Sequence, residues 1–282
     1  MKNIINKMMP VLTVVLIISI CCTSCYKKFD PATYAPALSI GGYTSSAEIA
    51  PSSLVGYWAF DDNFLDSVTN TAGTNAGTTF QNGVKGKALL TGDKGYVLFN
   101  PGTAITSMKS FTIAYWVNAP VNGSGIAGTV NLANNSNFWG NIDMFFENGS
   151  TADAAKFRVH IVNNGSSPEH WLAKDGIPGI FGNWVHFAVS FDGDTHTFKF
   201  YINGSVVATE VDNGFGTLNF TNSGQLVFGT VQFMTEPSLT SSHGAEPWAS
   251  YLKGGLDEVR IYNTALIDAD VNALVKLEGR GK

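Results

Sequence analysis

The stretch Gly254-Gly255-Leu256-Asp257-Glu258-Val259-Arg260-Ile261-Tyr262-Asn263, near the C-terminus, constrains the fold of this chain more than any other. Leu256, Glu258, Arg260 and Tyr262 alternate with Asp257, Val259, Ile261 and Asn263, the period of two expected of a β-strand entered from a glycine turn. A distant partner precedes it, Leu54-Val55-Gly56-Tyr57-Trp58-Ala59-Phe60-Asp61, a short apolar and aromatic run that ends in carboxylates. Further strand candidates are Ala88–Leu90, Tyr96–Phe99, Phe111–Asn118, Asn141–Phe146, Lys156–Val162, Trp184–Phe191, Thr197–Ile202 and Gln225–Thr230. Asn-Gly or Asp-Gly pairs punctuate them, at Asn82-Gly83, Asn122-Gly123, Asn148-Gly149, Asn164-Gly165, Asp175-Gly176, Asp192-Gly193 and Asn203-Gly204. Such pairs tolerate the left-handed backbone of tight hairpin turns. Only the end reads as helical: Asp268 to Leu277 places Val271, Leu274 and Val275 near one face, with Asp268 as its cap.

Composition agrees with an all-β chain. Aromatic residues make up 12% and charged residues 14% of the sequence, which holds 30 glycines, as many short strands joined by tight turns require. No heptads and no repeat of 20–50 residues run through it. Trp184, His186 and Ala188 alternate with Val185, Phe187 and Val189, as in a strand buried between two layers. Trp58, Trp116 and Trp184 lie within strands and read as core.

Five more pieces follow one another in order. They are Asp61-Asp62-Asn63-Phe64-Leu65-Asp66-Ser67, Gly83-Val84-Lys85-Gly86-Lys87-Ala88-Leu89, Ser110-Phe111-Thr112-Ile113-Ala114-Tyr115-Trp116-Val117, Asn183-Trp184-Val185-His186-Phe187-Ala188-Val189-Ser190-Phe191-Asp192-Gly193 and Phe200-Tyr201-Ile202-Asn203-Gly204. With the opening and closing strands, they resemble the laminin-G-like, concanavalin A-like lectin/glucanase family. The resemblance covers nearly all of residues 54–282. It implies an all-β, two-sheet antiparallel jelly-roll sandwich with a short C-terminal helix. A fold of this kind does not fix a function.

The start of the chain sets an address. Lys2 and Lys7 precede a run from Met8 to Cys22 that is nearly all apolar yet shorter than the ~20 residues of a spanning helix. Thr23-Ser24-Cys25 follows, and the segment resembles a bacterial, Bacteroidetes-type lipoprotein signal over residues 1–24, with lipid on Cys25. An ordinary secretory signal cut nearby is the alternative. Cys25 is the last cysteine, so a chain acylated there holds no disulfide and needs a large core. Residues 25–53 are rich in Pro, Ala and Ser and read as a flexible tether from lipid to domain. Lys27 and Lys28 suit anionic head groups. The resemblance implies a lipid-anchored protein of the cell envelope, at the outer membrane. Removing residues 1–24 takes two lysines and no acid, driving the formal net charge of −5 further down and arguing against a nucleic-acid partner.

Catalysis finds little support in the residues. Retaining glycosidases need two carboxylates roughly 5–5.5 Å apart. Those of this fold carry Glu-x-Asp-x-(x)-Glu on one strand, whereas here Glu210-Val211-Asp212 runs into a turn with no second Glu. Asp143 and Glu147 are four apart with Phe145 between them on the same face, and lack a third partner. No Gly-x-Ser-x-Gly elbow occurs, and the five histidines (His160, His170, His186, His196, His243) show no zinc spacing. His160 and His186 read as satisfied polar positions on sheet faces.

Binding is better supported. The resemblance implies one structural calcium, with Asp257 as ligand and Asp61 as its companion beside carbonyls of the Gly83–Gly86 turn; the alternative is that these carboxylates only cap turns. Sugars offer apolar faces and hydroxyl edges, so their sites pair aromatic platforms with Asn, Asp or Gln. Asn137, Trp139 and Asn141 lie together in one loop, His170 and Trp171 in a second, and Trp248 closes a third. The alternative for the three tryptophans is that they plug the ends of the sandwich. The sequence thus points to a non-catalytic, lectin-like glycan-binding domain in the envelope, serving a glycan-uptake system with a protein partner. A protein-binding or adhesion module is the second reading, and a glycoside hydrolase or polysaccharide lyase of the same fold the third.

Overall fold

A computed structural model describes residues 39–123 and 125–282. The expected signal segment, the expected lipidation site Cys25 and the first part of the expected tether lie outside the described residues.

Two sheets face one another. The first runs in the order β16 (Ser205–Val211), β15 (Thr197–Ile202), β14 (Val185–Asp192), β8 (Phe111–Asn118), β19 (Gly255–Tyr262), β6 (Lys87–Leu90) and β5 (Thr79–Asn82), and β1 (Leu54–Trp58) also pairs with β19. The second runs β13 (Glu169–Ile177), β12 (Ala155–Val162), β11 (Ile142–Phe146), β10 (Val130–Asn134), β17 (Ser223–Phe228), β7 (Tyr96–Phe99) and β4 (Thr74–Ala76). Short β9 (Ile126–Gly128) pairs with β11, and β18 (Ala249–Ser250) lies parallel to β9. A small hairpin joins β2 (Leu65–Asp66) to β3 (Thr71–Ala72). The other pairings in both sheets are antiparallel, so the expected all-β sandwich is the fold.

Alternation decides which side chains meet between the sheets. Phe111, Ile113, Tyr115 and Val117 of β8 join Val185, Phe187 and Val189 of β14 and, from the second sheet, Ile142, Met144 and Phe146 of β11 and Phe157, Val159 and Ile161 of β12. Edge-to-face ring pairs such as Phe157–Phe187, with centroids 4.6 Å apart, lock the layers.

The first sheet is covered on its outer side as well. Ala114, Ala188, Tyr201 and Tyr262 pack there against Val271, Leu274 and Leu277 of the helix α2 (Asp268–Glu278), which follows a short α1 (Thr103–Thr106) in the chain. Asp268 does not cap this helix: Ile267 holds that position without a side-chain hydrogen bond. The Asp268 carboxylate instead accepts from Lys199 Nζ (2.7 Å) and Tyr201 OH (2.9 Å), tying the first turn to β15.

Beneath α2 lies a buried ionic network. Arg260 donates from Nε to Glu278 (2.7 Å) and from Nη2 to Glu258 (2.8 Å), while Trp116 Nε1 reaches Glu278 (2.8 Å). Burial pushes the Glu278 carboxyl up to about 7, against the pull of Arg260. Glu258 has a left-handed backbone (φ 50°), and the register between β19 and β8 shifts across Asp257–Arg260. This bulge breaks the strict alternation read from the sequence: Leu256 faces the core with Val259 and Ile261, although it is an even number of residues from Glu258 and Arg260.

The packed body begins before residue 54. Ile49 is 1% exposed and joins the cluster under α2, with Ile40 and Tyr43 against it. Ser46 Oγ donates to the Lys282 carbonyl (2.8 Å) and accepts from Arg260 (3.2 Å). Residues 39–53 are therefore part of the domain's packing, and the tether expected there covers at most the chain before them. Trp58 and Trp116 are core as expected, whereas Trp184 precedes β14 and is only half-buried.

Candidate functional site

The candidate site is the outer face of the second sheet. On β11, Ile142, Met144 and Phe146 point inward, so Asp143 and Phe145 point out. Register carries this face across two more strands: Asp143 lies opposite His160, which lies opposite Trp171, and Phe145 lies opposite Arg158.

Two loops fold over the row. The first, between β10 and β11, turns because Asn134 Oδ1 accepts from the backbone N–H groups of Ser136 and Asn137 (both 3.1 Å). Gln232, from the segment after β17, ties the loops together. It accepts from Asn134 N (2.6 Å) and donates to the carbonyls of Asn137 (2.8 Å) and Phe138 (2.9 Å). The first loop thereby delivers Phe138 and Trp139, and the second delivers Phe233 and Trp248.

These rings form one cluster. Trp139 lies parallel to Phe145 (5.6 Å, 2°) and edge-on to Trp171 (5.5 Å, 87°), with Trp248 at 6.4 Å. Trp171 stacks flat on His160 (3.8 Å, 14°). It remains 38% exposed and Trp248 43% exposed, so the cluster is open to solvent.

A polar layer supports the rings. His160 is fully buried, with Nε2 2.8 Å from Glu169 and Nδ1 3.9 Å from Asp143. Burial raises the Asp143 carboxyl above its ordinary range. Neither Asp143 oxygen has a hydrogen-bond partner among the described residues. His186, on the first sheet, is also no satisfied position. Both its ring nitrogens lack partners among the described residues, and burial drives it down to about 3, so it is neutral beside Trp116.

The structure brings Trp139, Trp171 and Trp248 together, with Asn137 half-buried at the rim. It does not bring Asn141 or His170 to the face. Asn141 is fully buried and builds the loop, donating to Ser223 Oγ (2.9 Å) and accepting from Asn134 Nδ2 (3.0 Å). His170 neighbours Trp171 on a strand and so points the other way. It stacks on Phe198 (3.9 Å, 7°) and bridges Asp212 (3.0 Å) and Glu210 (3.2 Å), joining the edges of the two sheets. The sequence places Phe138, Glu169 and Phe233 in the candidate loops without singling them out, and Phe145 and His160 are missed as parts of this face. Alternation along β11 to β13 would have found Phe145, His160 and Glu169.

Asp61 and Asp257 do converge on the Gly83–Gly86 turn. Asp257 Oδ2 accepts from the backbone N–H of Val84 (2.6 Å) and Lys85 (3.1 Å), and Asp61 Oδ1 from that of Lys87 (2.6 Å). A Cβ at Gly83 would run into the Asp257 carboxylate and one at Gly86 into that of Asp61. Asp257 Oδ1 is buried without a partner among the described residues, and burial lifts this carboxyl to about 7. An orphaned carboxylate oxygen of this kind suits a hard cation. No group of three or more His, Cys, Asp or Glu is placed to hold a metal among the described residues.

With this geometry in place, comparison with known proteins decides the family. Residues 91–272, well over half of the chain, match the model described as concanavalin A-like lectin/glucanases superfamily. The chain belongs to this superfamily. Among solved structures it is similar to domain 4 of the extracellular GH43 arabinanase of Geobacillus stearothermophilus, solved with arabinotriose. That likeness has 21% identity and a TM-score of 0.55, covering 79% of this chain and 98% of that one. It is also similar to the binding domain of Paraclostridial Mosquitocidal Protein 1 (17%, TM-score 0.56, 79% of this chain and 52% of that one). A third likeness is to a botulinum neurotoxin type C structure whose description makes cell entry dependent on two ganglioside molecules (14%, TM-score 0.61, 82% and 53%). The chain spans about half the length of the two toxin chains. No curated protein matches it.

Proposed function

We propose that this superfamily member is a non-catalytic carbohydrate-binding protein whose platform is Trp171, flanked by Trp139 and Trp248. The carrying observation is the gathering of three tryptophans from three separate segments onto one sheet face, with one ring lying flat and open. A sugar's C–H face stacks on such a ring while polar neighbours take its hydroxyls. The arabinanase domain's complex with arabinotriose and the ganglioside dependence of the type C neurotoxin support a glycan as ligand. Asp143 is covered and Glu147 lies 3.6 Å from Arg158, an arrangement that favours holding a ligand over cleaving it. A glycan array probed with the wild-type chain and Trp171→Ala tests the reading. Hits lost in the variant support it; a blank array from folded protein overturns it in favour of a protein partner.

We also infer that Cys25 carries lipid and holds the protein in the envelope, at the outer membrane, where it captures glycan for an uptake system. Metabolic labelling with a fatty-acid probe, lost in Cys25→Ala, tests this. A calcium ion bound through Asp257 Oδ1, with Asp61 beside it, would pin the opening and closing strands to the Gly83–Gly86 turn. Its expected signature is a higher melting temperature in calcium than in chelator.

A further inference from the structure

The groups around Trp171 limit which sugars it can accept. Glu169 and Trp171 lie two apart on β13, so their side chains share a face. Glu169 holds the His160 ring, yet its side chain is 53% exposed, which leaves acceptor capacity beside the platform. An ionised carboxylate only accepts hydrogen bonds, so it welcomes hydroxyls and repels a second anion.

Arg158, on this face, is already engaged. Arg158 donates from Nη1 to Asp175 (2.6 Å) and to the Phe157 carbonyl (3.1 Å), and its Nε lies 3.6 Å from Glu147. The Arg158 hydrogen bond, aided by the Lys156 charge, holds the Asp175 carboxyl below its ordinary range. Glu147, Glu169 and Asp175 thus outnumber Arg158 and Lys156, and Arg158 is committed to Asp175 and Glu147. A uronate or sulfate stacked on Trp171 would meet Glu169 with Arg158 already committed to Asp175 and Glu147.

Building on the glycan-binding reading above, we propose that the site takes uncharged glycans and that Glu169 sets this specificity, accepting hydroxyl hydrogens from the sugar stacked on Trp171 and turning away anionic ones. The rule belongs to the local face and not to the acidity of the whole chain.

Affinity electrophoresis of the full chain in detergent tests it, through gels loaded with neutral polymers (arabinan, mixed-linkage β-glucan, galactomannan) or polyuronates (polygalacturonate, alginate). The wild type is expected to be retarded by at least one neutral polymer and by neither polyuronate. Glu169→Gln, which keeps a partner for His160, is expected to weaken neutral binding roughly tenfold and to admit a polyuronate. Asp194→Asn, the same charge change on an exposed turn of the first sheet, is expected to change neither. Retardation of the wild type by a polyuronate, abolished in Trp171→Ala, overturns the charge rule and leaves the glycan reading standing. A Glu169→Gln chain that melts like wild type and keeps both neutral affinity and polyuronate exclusion overturns the role of Glu169. If no polymer of either kind retards folded wild-type protein, both readings fall.

Discussion

The outer faces of the two sheets are built alike and used differently. Each carries buried ionisable groups beside aromatic rings: Arg260, Glu258 and Glu278 with Trp116 on the first, Asp143 and His160, with the more exposed Glu169, beside Trp171 on the second. On the first sheet α2 closes over the row, and Trp116 is 8% exposed. On the second only loops arch over, and Trp171 is left partly open. What covers a polar row, and not its composition, separates the structural face from the candidate binding face.

The largest effect should come from breaking the covered face. Arg260→Ala leaves Glu278 buried without its counter-charge and Glu258 with only Lys85 Nζ, at 3.5 Å, and we expect a loss of about 3–5 kcal/mol in urea unfolding. A loss below about 1 kcal/mol would mean the network is wetter than the geometry shows.

Next comes Asp257. Its folded pKa, about 7, lies above the ordinary carboxylate value. Between about pH 4 and pH 7 the unfolded chain binds fewer protons here than the folded one, so stability falls as pH rises through this window. We expect a cost of up to roughly 4 kcal/mol by pH 7, removed in Asp257→Asn and reduced by calcium in the wild type. A flat profile, unaltered by either change, would contradict both the strain and the cation.

The sequence made the sandwich legible because its signals are local. Strand alternation in Phe111–Asn118 or Val185–Asp192, punctuated by Asn-Gly and Asp-Gly turns, needs no knowledge of distant contacts. The bulge at Asp257–Glu258 was hidden because a left-handed glutamate has no sequence signature, and it placed Leu256 on the wrong side. Residues 39–53 lack periodicity, and their order comes from a few anchors, such as Ile49 and Ser46, meeting α2 and the C-terminus. In the candidate site, the three tryptophan-bearing segments were visible one by one, although Trp171, expected in a loop, lies on strand β13. Their convergence depends on strand order, which alternation does not encode. His170 shows the limit sharply: it adjoins Trp171 in sequence and faces the other side of the sheet.

The smallest effect should come from the rim of the covered face. Lys199→Ala removes an exposed pair with Asp268, and we expect at most about 0.5 kcal/mol in the same unfolding assay. A loss of several kcal/mol would show that the docking of α2 hangs on that contact and not on the buried row.

The most direct measurement titrates the strongest array glycan into wild type, Trp171→Ala and Trp116→Phe, recording affinity and melting temperature on the same samples. Trp171→Ala should lose at least about tenfold in affinity with little change in melting temperature, and Trp116→Phe should do the reverse. Retained affinity in Trp171→Ala, or lost affinity in a stably folded Trp116→Phe, would contradict the assignment of binding to the open face.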